Sequence, residues 1–304
     1  MKPRLAFFVG DPNGIGPELS AKLLARPETH AAAEVKVFGD RRLLPHPQLE
    51  TVPGLDSEAL TPGRASAAAG RWVVAALKQL ARAAQEGKVD GIVFAPLNKQ
   101  AMKLGGLQYH DEQHLFAAEL QAKGYSVEFN VIDGLWTSRV TSHIPLKDVA
   151  GSISVQGILD AVRIIDEALK RGGTPTPRIA VAGLNPHAGE GGTMGREEIE
   201  LIAPAIERAR QAGIEALGPF PADTVFVAAR RGDYDAVVTM YHDQGQIAMK
   251  LMGFDRGVTV LGGLPVPIAT CAHGTAYDIV GRGVANTVPL TNAFHLAARM
   301  AAHR

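Results

Sequence analysis

The sequence predicts an α/β fold with mainly parallel β-sheets. Short β-branched and apolar runs alternate along the chain with longer stretches of helical periodicity, as in parallel strands joined by helices. The length of 304 residues exceeds what one compact core usually takes, so we expect two lobes of ordinary size. Hydrophobic residues make up 46% and charged residues 20% of the chain, which is typical of a globular protein.

The predicted elements follow one another in this alternating order. Strands are expected at Arg4–Gly10, Glu34–Gly39, Gly91–Pro96, Ser126–Ile132, Ser138–His143, Arg178–Asn185, Ala236–Tyr241 and Gly257–Gly263. Helices are expected near 15–26, 64–87, 113–124, 154–171, 195–212, 243–252 and 290–302. In the 195–212 helix, Glu197 and Glu198 suit the first turn and Gly213 a stop, but Pro204 is expected to kink it.

Composition excludes several classes of protein. Thirty-one basic residues balance 31 acidic ones without a long basic run, so neither nucleic acid nor an anionic membrane is an expected partner. The single cysteine, Cys271, excludes an internal disulfide and a cysteine-based zinc cluster. The N-terminal apolar run is too short for a signal peptide, and no run is long enough to span a membrane. A cytoplasmic enzyme or binding protein that takes a small molecule is therefore expected.

Three histidines come at or just after the ends of three predicted strands. His143 ends "SRVTSH", His187 lies in "NPHAGEGG" after the strand "RIAVAGLN", and His242 follows "AVVTMY". Ligands of open α/β sheets gather at the carboxyl ends of the strands, where three imidazoles can ligate one divalent ion. Nitrogen ligands suit zinc, cobalt, nickel or manganese better than calcium. The residues alone leave open that these are ordinary polar histidines at strand ends.

Two glycine-rich segments invite a phosphate-binding interpretation. "NPHAGEGGTMGREE" (185–198) precedes a predicted helix start, so it either cradles an anion or serves as a flexible connector. "VGDPNGIGPEL" (9–19) runs from a strand into a helix with Pro17 in the first turn. This second segment lacks the G-x-G-x-x-G spacing and does not predict a Rossmann fold.

The C-terminal segment "HGTAYDIVGRGVANT" (273–287) resembles the adenosine-binding loop of the isocitrate and isopropylmalate dehydrogenase superfamily. The resemblance implies a non-Rossmann dinucleotide site. Adenine and its ribose would be surrounded by His273, Gly274, Thr275, Ala276, Asp278 and Asn286. A carboxylate at Asp278 accepts ribose hydroxyls but repels a 2′-phosphate, which favours NAD over NADP.

Within that superfamily the chain resembles the PdxA family, 4-hydroxythreonine-4-phosphate dehydrogenase, nearly end to end. The motifs are "GDPNGIGPEL", "APLNK", "TSHIPL", "GLNPHAGEGG", "GPFPADT", "MYHDQG" and "HGTA…GRG". The resemblance implies two α/β lobes with a cleft between them, 1–125 plus 265–304 and 126–264. It also implies a homodimer with the active site at the subunit interface.

The resemblance also assigns roles and a reaction. It implies one divalent metal on His143, His187 and His242, with zinc first and cobalt, nickel, manganese or magnesium as alternatives. Asp223 of "PADT" and Lys250 would contact the substrate and transfer the proton in an order left open. A β-hydroxy acid would be chelated by the metal and oxidised by NAD to a β-keto acid, which then loses carbon dioxide.

The substrate positions depart from the family pattern. Glu112 and Gln113 stand where a His-Thr pair anchors phosphate in the family, and Thr259 and Ile268 replace Asn and Arg. A like charge at ~4 Å costs about 4 kcal/mol at an effective dielectric near 20. We therefore expect a catabolic paralogue acting on a non-phosphorylated carboxylated diol, similar to terephthalate cis-dihydrodiol dehydrogenases. The alternative is the pyridoxal phosphate biosynthetic activity with a rearranged phosphate site.

Two further alternatives remain at this stage, a phosphate acyltransferase of the same broad fold and a catalytically inactive binding protein. The histidine triad and the Asp278 loop argue against the acyltransferase, and the presence of the metal ligands, Asp223 and Lys250 argues against the inactive protein. The stretch "YHDEQHLF" (109–116) has the composition of a metal site, but the resemblance places the metal elsewhere. We expect His110 and His114 to lie at the surface or on a pocket rim.

Overall fold

The computed structural model describes residues 1–303, apart from the side chain of residue 254. The chain divides into two compact units. The first unit is Met1–Ser126 with Asp255–Arg304, and the second is Val127–Phe254. Each unit has a β-sheet with helices, so the mixed α/β class predicted from the sequence is confirmed.

The elements are numbered here in chain order. The strands are β1 Arg4–Phe8, β2 Glu34–Gly39, β3 Leu49–Thr51, β4 Gly91–Phe94, β5 Val127–Ile132, β6 Leu135–Arg139, β7 Ile179–Ala182, β8 Ala216–Phe220, β9 Ala236–Thr239, β10 Val258–Gly262 and β11 Ile268–Cys271. The α-helices are α1 Gly16–Leu24, α2 Pro27–Ala32, α3 Ala67–Gln85, α4 Lys99–Leu104, α5 Glu112–Glu119, α6 Val149–Ser152, α7 Val155–Arg171, α8 Ala203–Gln211, α9 Ala222–Arg230, α10 His242–Gly253 and α11 Val288–Ala302. Short 3₁₀ segments occur at Leu146–Asp148, Phe254–Arg256 and Tyr277–Ile279, a left-handed turn lies within Pro186–Gly192, and a π turn occurs at Glu198–Ile202.

The sheet of the first unit has the order β3-β2-β1-β4-β11-β10. Its first five strands are parallel, and β10 is antiparallel to β11. Its central strands read as continuous apolar runs because both faces are covered: Phe7, Phe8 and Phe94 are almost completely buried. The carboxyl ends of β1 and β11 lead directly into the segments around residues 9–19 and 273–287.

The sheet of the second unit has the order β5-β6-β9-β7-β8. The hairpin of β5 and β6 turns at Asp133 and Gly134, which both have positive φ. This is the geometry that an Asp-Gly pair favours in a two-residue hairpin turn. From β6 onward all neighbouring strands are parallel. Helices α9 and α10 cover the sheet through a core that includes Val225, Phe226 and Met249.

Several boundaries differ from those predicted. The predicted strand Ser138–His143 is instead Leu135–Arg139, because the Asp-Gly hairpin turn starts β6 three residues earlier. The short strands β3, β8 and β11 and the helices α2, α4, α6 and α9 were not predicted. Pro204 lies in the first turn of α8, which continues directly from the π turn Glu198–Ile202. The helix irregularity expected at this proline therefore takes the form of a π turn just before it.

The boundary between the units also needs a correction. The sequence placed residues 255–264 in the second lobe, whereas the structure places them in the first unit. The reason is that β10 pairs with β11, from Val258 opposite Cys271 to Leu261 opposite Ile268. None of the helices in the described part of the chain is both long enough and apolar enough to cross a membrane.

Candidate functional site

The second unit gathers its polar candidates at one edge of its sheet. Strands β6, β9, β7 and β8 lie side by side and parallel, so their carboxyl ends share an edge. His143, His242, His187 and Asp223 each follow one of these strands, in that spatial order. Chain segments far apart in sequence therefore deliver four candidate side chains to one edge of this sheet, where His143 and His242 are in contact.

His143 and His242 are direct neighbours, with ring centroids 5.4 Å apart. The pairing of β6 with β9 continues past the strand ends, where the Thr141 N–H and hydroxyl both donate to the Met240 carbonyl. Arg139 Nε donates to Ser142 Oγ at 2.9 Å and shapes the turn that presents His143 at a positive φ of 29°. The two imidazoles border a cavity of about 410 Å³.

His242 is oriented by its neighbour in the chain. Its Nδ1 lies 2.7 Å from a carboxylate oxygen of Asp243, and the carboxylate is mostly exposed. A metal-ligating histidine commonly donates its second ring N–H to a carboxylate, which leaves the other nitrogen as the ligand. The donor set and this orientation fit a divalent ion.

A glutamine side chain ties the ends of β9 and β7 together. Gln244 accepts a hydrogen bond from the Met240 N–H at 2.7 Å and donates one to the Gly183 carbonyl at 2.8 Å. The 186–197 segment, which bears His187, begins three residues after Gly183. Gln244 therefore links the backbone before His242 to the backbone before His187.

The segment with His187 makes a turn of left-handed helix. From His187 to Gly191 five consecutive residues have φ between 45° and 80°, and three of them carry a Cβ. Left-handed backbone costs roughly 1–2 kcal/mol for each non-glycine residue. Such strain persists only where the surroundings enforce it, and it concentrates at functional sites.

The carboxylate of Glu198 is the group that holds this turn. It is 3% exposed and accepts hydrogen bonds from the backbone N–H of Leu184 at 2.8 Å and of Asn185 at 2.7 Å. Its second oxygen accepts from Asn185 Nδ2 at 3.0 Å. Burial alone would raise the pKa of Glu198, but these hydrogen bonds outweigh burial and lower that pKa. A Cβ on Gly189 would lie 2.7 Å from the same carboxylate, so the turn and the carboxylate pack closely.

The two predicted proton-transfer residues occupy different places in the second unit. Asp223 lies exposed in the first turn of α9, just beyond the end of β8 and on the edge that carries the histidines. Lys250 lies exposed near the end of α10, about 12 Å along the helix axis from His242. That distance exceeds the reach of a lysine side chain, so α10 does not bring Lys250 into contact with His242.

The predicted dinucleotide loop belongs to the first unit and follows β11. Its Asp278, Gly274 and Asn286 are exposed, whereas Thr275 is buried and Ala276 has a positive φ of 41°. Asn286 accepts a hydrogen bond from the Val288 N–H at the start of α11. His273 Nε2 is buried and lacks a hydrogen-bond partner among the described residues. Such an orphaned nitrogen fits a loop that receives a polar ligand.

Sequence reasoning missed the side chains that fix this loop. Tyr277 donates a hydrogen bond to Asp11 of the N-terminal segment at 2.7 Å, and Asp11 is fully buried. Burial raises the pKa of both groups. The backbone N–H of Ile15 donates to the Thr275 carbonyl, and a Cβ on Gly14 would lie 2.8 Å from the side chain of Thr275. The "GDPNG" motif therefore supports the loop, a link between chain ends that local patterns cannot show.

The four predicted substrate positions all lie in the first unit. Glu112 and Gln113 begin α5 and are buried, and Thr259 is half-buried on β10. The prediction that Ile268 contacts the substrate does not agree with the structure. This residue is fully buried at the start of β11, between Leu261 and Ile92 on the neighbouring strands, so it packs in the core and presents no surface to a substrate.

The stretch "YHDEQHLF" brings three potential ligands together. Asp111 is the N-cap of α5 and accepts from the His114 N–H at 3.0 Å. One ligand atom each from His110, Asp111 and His114 lies within 4.8 Å of the others. Burial alone would raise the pKa of Asp111, but hydrogen bonds from both imidazoles and the backbone outweigh it and lower that pKa to about 2.

Comparison with known proteins decides the family. The sequence pattern described as "Pyridoxal phosphate biosynthetic protein PdxA" matches residues 7–297. The chain belongs to the PdxA family. It is 46% identical to "Putative 4-hydroxythreonine-4-phosphate dehydrogenase 2" of Pseudomonas aeruginosa, an alignment that covers 99% of this chain and 98% of that protein.

Solved PdxA-like structures agree with this assignment. A 4-hydroxythreonine-4-phosphate dehydrogenase from Klebsiella pneumoniae has 36% identity and a TM-score of 0.83, over 98% of this chain and 99% of that one. A terephthalate 1,2-cis-dihydrodiol dehydrogenase from Burkholderia xenovorans has 29% identity and a TM-score of 0.72, over 98% of both chains. The PdxA-family chain is therefore an oxidoreductase, a dehydrogenase that acts on a CH–OH group.

Proposed function

We propose that this protein is an NAD- and divalent-metal-dependent dehydrogenase that oxidises and decarboxylates a phosphorylated β-hydroxy acid of the 4-hydroxythreonine-4-phosphate class. The delivery of three histidines to one edge by β6, β9 and β7 carries the proposal. When bound, the ion supplies Lewis-acid chemistry at the hydroxyl and NAD supplies the hydride acceptor.

The metal would be held by His143, His187 and His242. Three imidazoles and open remaining positions suit zinc, with cobalt, nickel, manganese or magnesium as alternatives. The orientation of His242 by Asp243 supports this set, as does the enforced left-handed turn at His187. These residues fix the position of the substrate hydroxyl before reaction, which contributes to catalysis without further rearrangement.

NAD would bind the loop 273–287. The exposed Asp278 carboxylate suits the ribose hydroxyls and disfavours a 2′-phosphate, and the buried His273 Nε2 awaits a polar partner. The bond between Tyr277 and Asp11 holds the loop in shape. The proton released from the substrate hydroxyl would go to Asp223 of the same chain, which lies exposed just beyond β8, or to a Lys250 supplied by a second copy of the chain, since Lys250 lies about 12 Å along α10 from His242.

The substrate class is the point at which the comparisons outweigh the sequence interpretation. The 46%-identical relative carries the 4-hydroxythreonine-4-phosphate name, whereas the dihydrodiol dehydrogenase is 29% identical. This favours the phosphorylated substrate over the carboxylated diol expected from Glu112 and Gln113. The diol remains the second candidate for one reason, the buried carboxylate of Glu112 at the position where the family anchors phosphate.

A homodimer is part of the proposal. Ile247 and Leu251 lie four residues apart on α10 and are 60% and 84% exposed. They form an apolar stripe on one helix face, which is typical of a surface covered by a partner. Lys250 adjoins this stripe, so a second copy of the chain would contact the region that holds a proposed catalytic residue.

The test compares metal content and turnover in wild-type protein and in His242→Ala. We expect the variant to lose one bound metal ion per chain and all NADH formation from 4-hydroxythreonine 4-phosphate. His303→Ala, which removes an exposed histidine bonded only to the Arg299 carbonyl among the described residues, is the matched control. Full turnover by EDTA-treated protein in metal-free buffer would contradict the metal role. NADH formation from a carboxylated cis-diol alone would establish the second candidate.

A further inference from the structure

The cluster at the start of α5 is a built arrangement that the proposed reaction does not use. Asp111 caps the helix, and its side chain is only 4% exposed. The imidazoles on both sides are 63% and 58% exposed. His110 precedes the capping residue and His114 lies in the first turn of α5, so the two histidines flank the Asp111 carboxylate in the chain.

Both imidazoles already converge on the same carboxylate. His114 Nδ1 lies 2.6 Å from Asp111 Oδ1, and His110 Nδ1 lies 3.1 Å from Asp111 Oδ2. The rings are 5.5 Å apart between centroids, close to the 5.4 Å of His143 and His242. The cluster thus resembles the proposed catalytic pair in spacing and adds a carboxylate.

The distances are within reach of a chelate. The ligand atoms lie within 4.8 Å of one another, and tetrahedral zinc ligands at 2.0–2.2 Å from the ion are roughly 3.3 Å apart. Ligation therefore needs movements of about 1.5 Å or less: the widest pair closes, and His114 Nδ1 and Asp111 Oδ1, now 2.6 Å apart, separate by about 0.7 Å as their hydrogen bond is given up. The exposed rings can supply this by rotation, while the capping carboxylate stays in place. For Nδ1 to ligate, each neutral ring carries its proton on Nε2, which exposed rings can present to water.

We propose that His110, Asp111 and His114 form a separate divalent-metal site that takes Zn²⁺, Co²⁺ or Ni²⁺ through two imidazole nitrogens and one carboxylate oxygen. Two histidines and one carboxylate form a recurrent ligand set for such ions. The site lies in the first unit and the proposed catalytic histidines in the second, so neither proposal depends on the other. An ion here adds two positive charges beside Glu112, the residue that follows Asp111 in the chain.

The test is a Co²⁺ titration of EDTA-stripped, full-length protein, followed by calorimetry and by the visible absorbance of the bound ion. We expect two ions per chain in the wild type. The variant His110→Ala/His114→Ala should bind one, and so should His143→Ala/His242→Ala. Asp111→Asn keeps an oxygen for the helix cap and should weaken only the first-unit site, by at least tenfold. His303→Ala is the matched control and should bind two.

The outcomes separate the two proposals. If His110→Ala/His114→Ala binds as many ions as the wild type, the first-unit site is overturned. If His143→Ala/His242→Ala does so, the proposed catalytic metal fails and the cluster stands. Loss of all binding in His143→Ala/His242→Ala overturns the cluster, because it would leave no ion for His110, Asp111 and His114. Circular dichroism of each variant shows that the comparison is made between folded proteins.

Discussion

Removing the carboxylate of Glu198 should weaken metal binding at His187, although the hydrogen bonds of this carboxylate go to Leu184 and Asn185. Its three hydrogen bonds to Leu184 and Asn185 are bonds to a charged group, each worth about 1.5–3 kcal/mol, or roughly 4.5–9 kcal/mol together. They offset the conformational cost of the left-handed turn, where three non-glycine residues cost roughly 3–6 kcal/mol. The two totals are similar, so the turn relaxes when the carboxylate is lost.

The expected effect of Glu198→Ala is a 10–100-fold weaker affinity for Zn²⁺ at the His187 site, the range typical of residues that orient metal ligands. Glu198→Gln should fall between alanine and the wild type. Its amide oxygen can keep the two backbone bonds, but its NH₂ group would face Asn185 Nδ2, and two donors cannot bond to each other.

The assay is calorimetric Zn²⁺ titration of EDTA-stripped protein in which His110 and His114 are both alanine, so that one site reports. Glu200→Gln is the matched control, because Glu200 is exposed on the same π turn and pairs only with Arg196 among the described residues. Its loss should change little, as is usual for surface ion pairs. Wild-type affinity in a folded Glu198→Ala protein would refute the argument that the carboxylate enforces the turn.

Three other outcomes are expected. Burial raises the pKa of the Cys271 thiol to about 12. Alkylation by iodoacetamide at pH 8 should therefore be about a thousandfold slower in folded than in urea-unfolded protein, and the rate in the folded protein should rise with pH. Equal rates in the two states would contradict this expectation. Tyr277→Phe should raise KM for NAD roughly tenfold with kcat unchanged, because the hydrogen bond from Tyr277 to the Asp11 carboxylate is lost. An unchanged KM would mean that Asp11 does not position the loop 273–287. Leu251→Glu should yield monomers in analytical ultracentrifugation if α10 lies in the dimer interface, whereas Val227→Glu, at an apolar position on α9 that is 60% exposed, should not.

The sequence predicted which strands the three histidines follow, although it placed the ends of those strands two to four residues too late. The order β6-β9-β7 is a matter of long-range pairing, yet His143, His187 and His242 each follow an apolar run, so their common edge could be expected. Their detailed placement could not. The strand before His143 was predicted three residues late, because apolar periodicity outweighed the Asp133–Gly134 turn signal.

The groups that support the site were missed for a different physical reason. Glu198 was predicted only as a favourable residue in a helix start, whereas it lies on a π turn and bonds to residues 13 and 14 positions earlier. Tyr277 and Asp11 are separated by 266 positions. Ile268 was assigned to the substrate by spacing, and burial on an unpredicted strand shows it to be a core residue. Local pattern carries no information about such tertiary contacts.

The two hydrogen bonds by which Gln244 joins the ends of β9 and β7 have a consequence for how the second unit can be altered. One end of the 186–197 segment is fastened at Gly183 by Gln244, and the other at Glu198 by its own carboxylate. Between these two sets of hydrogen bonds the chain is mostly exposed and contributes no strand to the sheet. We therefore expect that this segment can be replaced without unfolding the sheet. Its length and ligands can be redesigned for another ion or substrate while Gln244, Glu198 and the sheet beneath them are kept.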